Sequence, residues 1–532
     1  MNRRRFLKSS AAGAGGLLLE SSFGWADPSA ADVIVYGGTA SGVAAAVAAA
    51  RAGARVTVLE AGAHLGGMVS GGLGHTDHGN IKTIGGISLE FFRRVGRHYG
   101  QPAAWNFEPH VAEDVFKKMA AEARVRVLYR HRLKEQGGVR KKHLRIAEIV
   151  TENGRLFPAR VFIDATYEGD LLAQAGVSFT WGREGREQYN ESFAGVRAAD
   201  RYAHHLFEVP VSAYDAHGKL LPNVYAGPRG KIGASDKKVQ AYNFRLCLTK
   251  DRDNRVPIPQ PAHYDSRQYA LLGRLIVAET KKNGQPPPLK QLMIISSLPN
   301  GKTDINNHGA FSTDFINKSW DYPTAGYRRR EEIWRAHYDY TAGFFYFLAH
   351  DWQVPERLRA EAGEWGLAQD EFLDTDHWPF QLYVREARRM IGDFVMTQHD
   401  AQTALVKPDP IGMGSYNMDS HNVQRYVQAD GTAQNEGDTE VPTTPYQISY
   451  RVLLPKPGEC RNLLVPVCAS ASHIGYGTLR LEPVYMIMGE AAGVAAKMAV
   501  DRARDVQQID TAELTQKLRQ KGAVMELAEP RA

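Results

Sequence analysis

The chain has 532 residues, with 65 Lys and Arg against 59 Asp and Glu, for a formal net charge of +6. Hydrophobic residues make up 43% and charged residues 23%, the balance of a globular protein long enough for two or three domains. So small a charge gives no sign of a nucleic-acid partner, and Cys247, Cys460 and Cys468, with no C-x-x-C spacing, exclude a disulfide framework and offer no dithiol or cysteine metal cluster.

At the N-terminus, Arg3 and Arg4, followed by Arg5-Phe6-Leu7-Lys8, resemble a twin-arginine export signal, with Asn2 where Ser or Thr is usual. The apolar run Ala11 to Leu19 is too short to span a bilayer, and Gly24 and Ala26 offer a cleavage site before Asp27. Residues 1–26 are expected to direct export to the periplasm or beyond, with no integral membrane segment after their removal. The three cysteines are expected as buried free thiols, with a Cys460–Cys468 bridge as the alternative.

Asp32-Val-Ile-Val-Tyr36 is a β-branched run that predicts a buried strand. The alanine-rich stretch Gly42 to Ala52 predicts a helix ended by Gly53, and Arg55 to Leu59 a second strand closing on Glu60. The turn between, Gly37-Gly38-Thr39-Ala40-Ser41-Gly42, departs from the dinucleotide fingerprint G-x-G-x-x-G at one place, where Thr39 replaces the middle glycine. Gly37 permits the tight turn and Gly42 the close packing of helix on strand; the Thr39 hydroxyl is expected to donate to a phosphate oxygen at the helix N-terminus. Glu60, 23 residues after Gly37, stands where a carboxylate accepts ribose hydroxyls, and it would repel a 2′-phosphate. FAD and NAD both remain open at this point; NADP is disfavoured.

Immediately downstream comes His64-Leu-Gly-Gly-Met68-Val-Ser-Gly-Gly-Leu-Gly74-His-Thr-Asp77. Here the sequence resembles the FAD-dependent oxidoreductases of the glutathione-reductase-like superfamily. The branch is the one carrying E-x-x-x-x-L-G-G-M-x-S-G-G-L, distantly related to fumarate-reductase-type flavoproteins. The resemblance covers nearly all of the chain after the signal and implies FAD as cofactor. It implies that Gly66, Gly67 and Met68 run against the pyrophosphate and ribityl chain, and that Ala165-Thr166, in Val161 to Asp170, lie beside the cofactor. It also implies that the backbone near Leu133 bonds adenine, after a helix opening at Glu108-Pro-His-Val111 and a strand at Val125–Leu128. At the C-terminal end, a strand at Asn462–Val467, a glycine-rich turn at Gly475-Tyr476-Gly477 and a helix from Met486 to Val500 would return to the flavin.

The fold class expected is α/β: a discontinuous Rossmann-like FAD-binding domain with an inserted mixed α+β cap. Its segments would be 32–190 and 441–510 for FAD, 191–440 for the cap, and 511–532 for a C-terminal helix and tail. Within the cap, Ser266–Lys282, Arg328–Asp351 and His377–Gly392 read as helices, Lys302–His308 as a polar loop, and Tyr340–Leu348 as core. His421, in the polar segment Gly412–Asn422, is a candidate general base, as is His473 beside the expected flavin. Arg385 is a candidate anchor for an anionic group, although Arg385, Glu386, Arg388 and Arg389 would surround a helix, leaving at least two merely solvated or ion-paired. Asp304 and Asn306 suit a polyhydroxylated ligand or loop caps, and Asp370-Glu371 with Asp374 and Asp376 read as a solvated acidic loop. No metal-binding motif appears.

Together these features predict an exported flavoenzyme moving hydride from a small polar CH–OH substrate, sugar or polyol-like, to FAD, with a quinone, a redox protein or oxygen as electron acceptor. One alternative is a flavin-dependent reductase of an unsaturated carboxylate clamped by Arg385; another is a non-catalytic, carbohydrate-associated protein that keeps the flavin fold.

Overall fold

Val33–Tyr36 (β1), Val56–Leu59 (β2), Arg126–Leu128 (β3) and Val161–Asp164 (β4) form a parallel sheet with the late strand Leu463–Leu464. Its order is Leu463–Leu464, β4, β1, β2, β3, and β1 pairs in register with both neighbours, Val33 facing Val56 and Val161. Every residue of β1, β2 and β4 is buried, as a parallel sheet covered on both faces requires. The computed structural model describes residues 31–403 and 405–527; the expected signal peptide, 1–26, lies outside the described residues.

The helix Ala40–Arg51 (α1) follows β1 and is buried from Ala40 to Ala49. Alanine here serves propensity and proximity together, because it leaves room for a second helix on α1. Pro109–Glu122 (α2) leads into β3, and the short helix Asp170–Gln174 (α3) follows β4.

The inserted region is built on an antiparallel sheet of Leu246–Thr249 (β5), Arg255–Val256 (β6), Met293–Ser297 (β7), Lys302–Asn307 (β8) and Gly366–Ala368 (β9), in the order β6-β9-β5-β8-β7. The expected polar loop at 302–308 is therefore largely a central strand, hydrogen-bonded on both sides to β5 and β7. Ala270–Asn283 (α4) and Tyr327–His350 (α5) are the two long helices read from periodicity, and the aromatic run 340–348 is mostly buried core.

His377–Gly392 is not a helix: apart from the two-residue strand Arg389–Met390 it runs as extended chain and turns. Arg385, Glu386, Arg388 and Arg389 are all buried on partners from other segments rather than spread around a solvated cylinder.

His473–Leu479 (α6) and Glu482–Arg502 (α7) close the sequence onto the first sheet. Gly475 and Gly477 lie inside α6, so the expected glycine-rich turn is helical, capped by Ser472. A side chain on Gly475 would strike the Met396 carbonyl, and one on Gly477 the backbone of Asp419. Across α1, Gly489 and Gly493 of α7 face the carbonyls of Ser41 and Ala45. The three cysteines are free and buried. No helix among the described residues is long and apolar enough to cross a membrane.

Candidate active site

A cavity of about 600 Å³ opens at the C-terminal ends of β1, β2 and β4, the edge where open α/β sheets bind ligands. Tyr36, Gly37, Thr39, Glu60, Gly67 and Thr166 line one wall; Trp334, Phe380 and Leu382 line the other. Gly37 and Gly67 hold φ of +99° and +56°, and a Cβ on Gly37 would come within 2.9 Å of the Ala165 backbone.

Thr39 is the N-cap of α1: its hydroxyl accepts from Gly42 N–H at 3.1 Å and donates to the Ala165 carbonyl at 2.8 Å. The hydroxyl proton is thus engaged with β4's exit, not free for a phosphate as the sequence suggested. The amides of Ala40 and Ser41 remain, by helix geometry, without intrahelical acceptors, while the Ser41 side chain is fully buried toward Gly489, its Oγ without a hydrogen-bond partner. Gly38 N–H donates to Glu60 Oε2 at 2.6 Å, and Gly62 N–H to Oε1 at 2.5 Å. Burial raises the Glu60 pKa against these two bonds. A carboxylate has about four lone-pair sites, so two remain for ribose hydroxyls.

Gly66 and Met68 sit behind the wall. Gly66 N–H donates to the Gly38 carbonyl at 2.7 Å, and Met68 N–H donates to the Tyr167 hydroxyl at 2.9 Å. Tyr167, which lines the cavity, in turn donates to the buried Glu482 at 2.6 Å. Leu133 lies off the cavity, its N–H donating to the Tyr36 hydroxyl at 3.0 Å and its carbonyl accepting from Tyr327 at 2.8 Å. Its single N–H is thus already taken by Tyr36, and Arg130 and Arg132 line the cavity in its place. Gly475, Tyr476 and Gly477 also lie off the cavity, and Tyr476 bonds Tyr485 at 2.6 Å. Ala40, Ser41 and Gly42 do not line the cavity themselves, but the N-cap Thr39 at the start of α1, a carboxylate after β2 and the glycines of its wall fit a dinucleotide.

Beyond Leu382 the extended segment enters a buried polar layer. Arg385 donates to Asp314 at 3.0 Å and to the Ala241 carbonyl at 2.5 Å, with its guanidinium 4.7 Å from the Tyr383 ring. Asp314 also bonds His421 Nδ1 at 2.9 Å. Burial, then the nearby Arg385, push the His421 pKa well down, so the ring is neutral at physiological pH. Its Nε2 lies 3.9 Å from Asp419, which is held by Arg480 at 2.7 Å.

His473 pairs through Nδ1 with Glu386 at 2.8 Å, and burial lowers its pKa to about 3. Gln240 links the two histidines: it accepts from His421 N–H at 3.1 Å and donates to Glu386 at 3.0 Å. In this layer Asn243 Oδ1, Arg245 Nη1, Arg385 Nε and Asn422 Oδ1 are buried without a hydrogen-bond partner, groups that are costly unless something bonds them.

Asp304 pairs with Arg245 at 2.7 Å and accepts from His75 N–H at 2.9 Å, while Asn306 accepts from Asn243 at 3.3 Å. They are strand residues inside the layer rather than loop caps. The acidic stretch at 370–376 is only partly solvated: Glu371 is buried, bonded to Lys302 at 2.8 Å and His110 at 2.7 Å. Glu108, His110 and Glu371 come within metal-ligand reach of one another, but the ammonium of Lys302 already occupies Glu108 and Glu371.

Sequence reasoning missed Asp314, Arg245, Gln240 and Arg480. Only Arg480 left a signal, since Arg480 and Glu482 are the charges between two apolar, glycine-bearing helices.

The family model described as FAD dependent oxidoreductase matches residues 32–518. No curated protein matches the chain. Among solved structures, the L-proline dehydrogenase of P. horikoshii is 16% identical over 36% of this chain and 63% of its own, with a TM-score of 0.24. A myxobacterial chondrochloren halogenase, a variant of FAD-dependent halogenases, is 20% identical over 29% of this chain and 41% of its own, with a TM-score of 0.23. With the family model spanning both the dinucleotide cavity and the polar layer, the chain belongs to the FAD dependent oxidoreductases and uses FAD as its cofactor.

Proposed function

We propose that this enzyme oxidises a CH–OH group of a small polyhydroxylated substrate, with His421 as general base. The observation that carries the reading is the buried layer next to the cavity, where a neutral histidine aligned by a carboxylate stands among hydrogen-bonding atoms that lack partners. FAD, when bound, supplies the two-electron acceptor for hydride. The first-turn amides of α1 would hold its pyrophosphate and Glu60 its ribose, with Gly37, Gly67 and Thr166 forming the adjoining wall.

Asp314 fixes Nδ1 of His421 as the protonated nitrogen and leaves the Nε2 lone pair to take the hydroxyl proton. The carboxylate then stabilises the imidazolium it faces. Arg385 Nε and Arg245 Nη1 are donors, and Asn243 Oδ1 and Asn422 Oδ1 acceptors, for further hydroxyls. His473, 3% exposed and bound to Glu386, serves as a positioning residue for Glu386 and Gln240. Arg385 already serves Asp314 and the Ala241 carbonyl, which weighs against its clamping an unsaturated carboxylate. The twin-arginine-like start supports export, with reoxidation by a quinone, a redox protein or oxygen.

The test is anaerobic mixing of the yellow holoenzyme with sugars, polyols, amines and hydroxy acids. Polyols or sugars bleach the visible flavin band, and His421→Ala slows bleaching about 10²- to 10⁴-fold with FAD retained. Unchanged bleaching in that variant would remove His421 from the reaction. Oxidation of a reduced viologen by unsaturated acids, with no bleaching by any alcohol, would reverse the chemistry.

A further inference from the structure

A second cavity, of about 670 Å³, lies outside the cofactor site and within the size range of small-molecule pockets. Its lining includes His204, His205, His308, Glu279, Glu440 and Asn283. Three of its walls are immediate neighbours of the polar layer. Glu440 is the cross-strand partner of Asp419, the carboxylate beside His421. His308 follows Asn307, whose amide oxygen accepts from Arg385 at 3.4 Å. His205 is close enough to Asp314 for that carboxylate to bear on its titration.

The cavity wall is built rather than incidental. His205 has a left-handed backbone, φ +57°. Its Nδ1 accepts from Gly309 N–H at 3.1 Å, and its ring meets His308 edge-on at 5.3 Å between centroids. Burial lowers the pKa of both His205, to about 4, and His308, so both rings are neutral at physiological pH. Glu279, which lines the cavity, has one carboxylate oxygen shielded from water and without a hydrogen-bond partner. The imidazole and carboxylate atoms do not converge on one point as a metal would need; among the described residues only Glu108, His110 and Glu371 do.

Carboxylate acceptors, an amide and neutral imidazoles, which both bond hydroxyls and offer flat faces to C–H groups, are the complement of a polyhydroxylated ring. We propose that this cavity is an outer subsite for the remainder of a substrate larger than one sugar ring, placing its terminal CH–OH toward His421. This rests on the polyol oxidation proposed above.

The test separates binding from turnover by titrating holoenzyme calorimetrically with glucose and its β-linked dimer and trimer, and measuring flavin bleaching independently. The dimer and trimer should bind about tenfold more tightly than glucose, and Glu279→Gln and His308→Ala should each remove most of that gain, as loss of a hydrogen bond to a charged or buried group does. Bleaching by glucose should be unchanged in both variants. Equal affinity for monomer and trimer, or variants that bind the trimer as wild type does, overturns the subsite even if glucose bleaches the flavin. Tight trimer binding that these variants weaken, with no bleaching by any sugar, upholds the subsite and rejects the polyol oxidation instead. Tighter binding of putrescine than of any sugar would reassign the cavity to a cation and overturn the proposal.

Discussion

Thr39 occupies the place of a fingerprint glycine, and its hydroxyl is taken by the helix it caps and by the Ala165 carbonyl. The substitution survives because a helix cap and a tie to the Ala165 carbonyl replace what the glycine would have left open, while Thr39 still lines the cavity. Glu482 is the corresponding surprise at the other end of the chain. Burial raises its pKa from the usual 4.5 to about 8, opposed only by the hydrogen bond from Tyr167. Between those two values the unfolded chain holds fewer protons than the folded one, so unfolding free energy falls as pH rises through the window and levels above it. The full effect is on the order of a few kcal/mol. Glu482→Gln should lose this contribution to the slope, which denaturant unfolding from about pH 5 to pH 8 measures; identical slopes in both proteins would mean that Glu482 is ionised when folded.

At the scale of elements, α2 came with the family resemblance, alanine propensity and a glycine stop determined α1, and the periodicity of Ser266–Lys282 and Arg328–Asp351 determined α4 and α5. The same reasoning placed a helix at His377–Gly392 that does not exist. There the four charged side chains follow partners supplied by other segments: Asp314 for Arg385, Gln240 and His473 for Glu386, Asp170 for Arg388 and Glu184 for Arg389. The contact between α1 and α7 depends on small residues, Gly489 and Gly493 facing Ser41 and Ala45. Gly493→Ala puts a methyl group against the Ala45 carbonyl and should cost about 1–3 kcal/mol of unfolding free energy. It should also weaken FAD retention, measured by fluorescence of released flavin, because α1 carries the first-turn amides. Wild-type stability and retention in this variant would show that the helices separate at no cost.

For the whole molecule, the inserted region is tied to the first sheet by buried charge. Asp170 of α3 takes Arg330 of α5 at 2.6 Å and Arg388 of the extended segment at 2.6 Å. Burial alone would raise its pKa, but Arg330 and then Arg388 outweigh that and hold it below the usual 3.8. Its contribution is therefore present above that value and lost as pH falls through the folded pKa. Asp170→Asn should cost about 3–5 kcal/mol, since two buried guanidinium groups lose their counter-charge, and it should flatten the acid arm of the stability curve. Asp374→Asn, whose side chain is 60% exposed, is the control and should change little. Equal loss in the two variants would show that Asp170 carries no special load.

By itself the sequence determined the βαβ unit, its dinucleotide character and the acid at Glu60, because that information is local: a β-branched run, a glycine turn and an alanine helix lie within thirty consecutive residues. It also singled out His421, His473 and Arg385 as reactive types in polar or glycine-bearing surroundings. Only the tertiary structure decided what those residues are to one another. Asp314, Gln240, Arg385, His421 and Arg480 come from separate stretches of the chain, and the titration of the four ionisable ones is shifted by shared burial and by one another's charges and that of Asp419. Desolvation and pairing belong to the packed layer as a whole, so no short segment of sequence carries them.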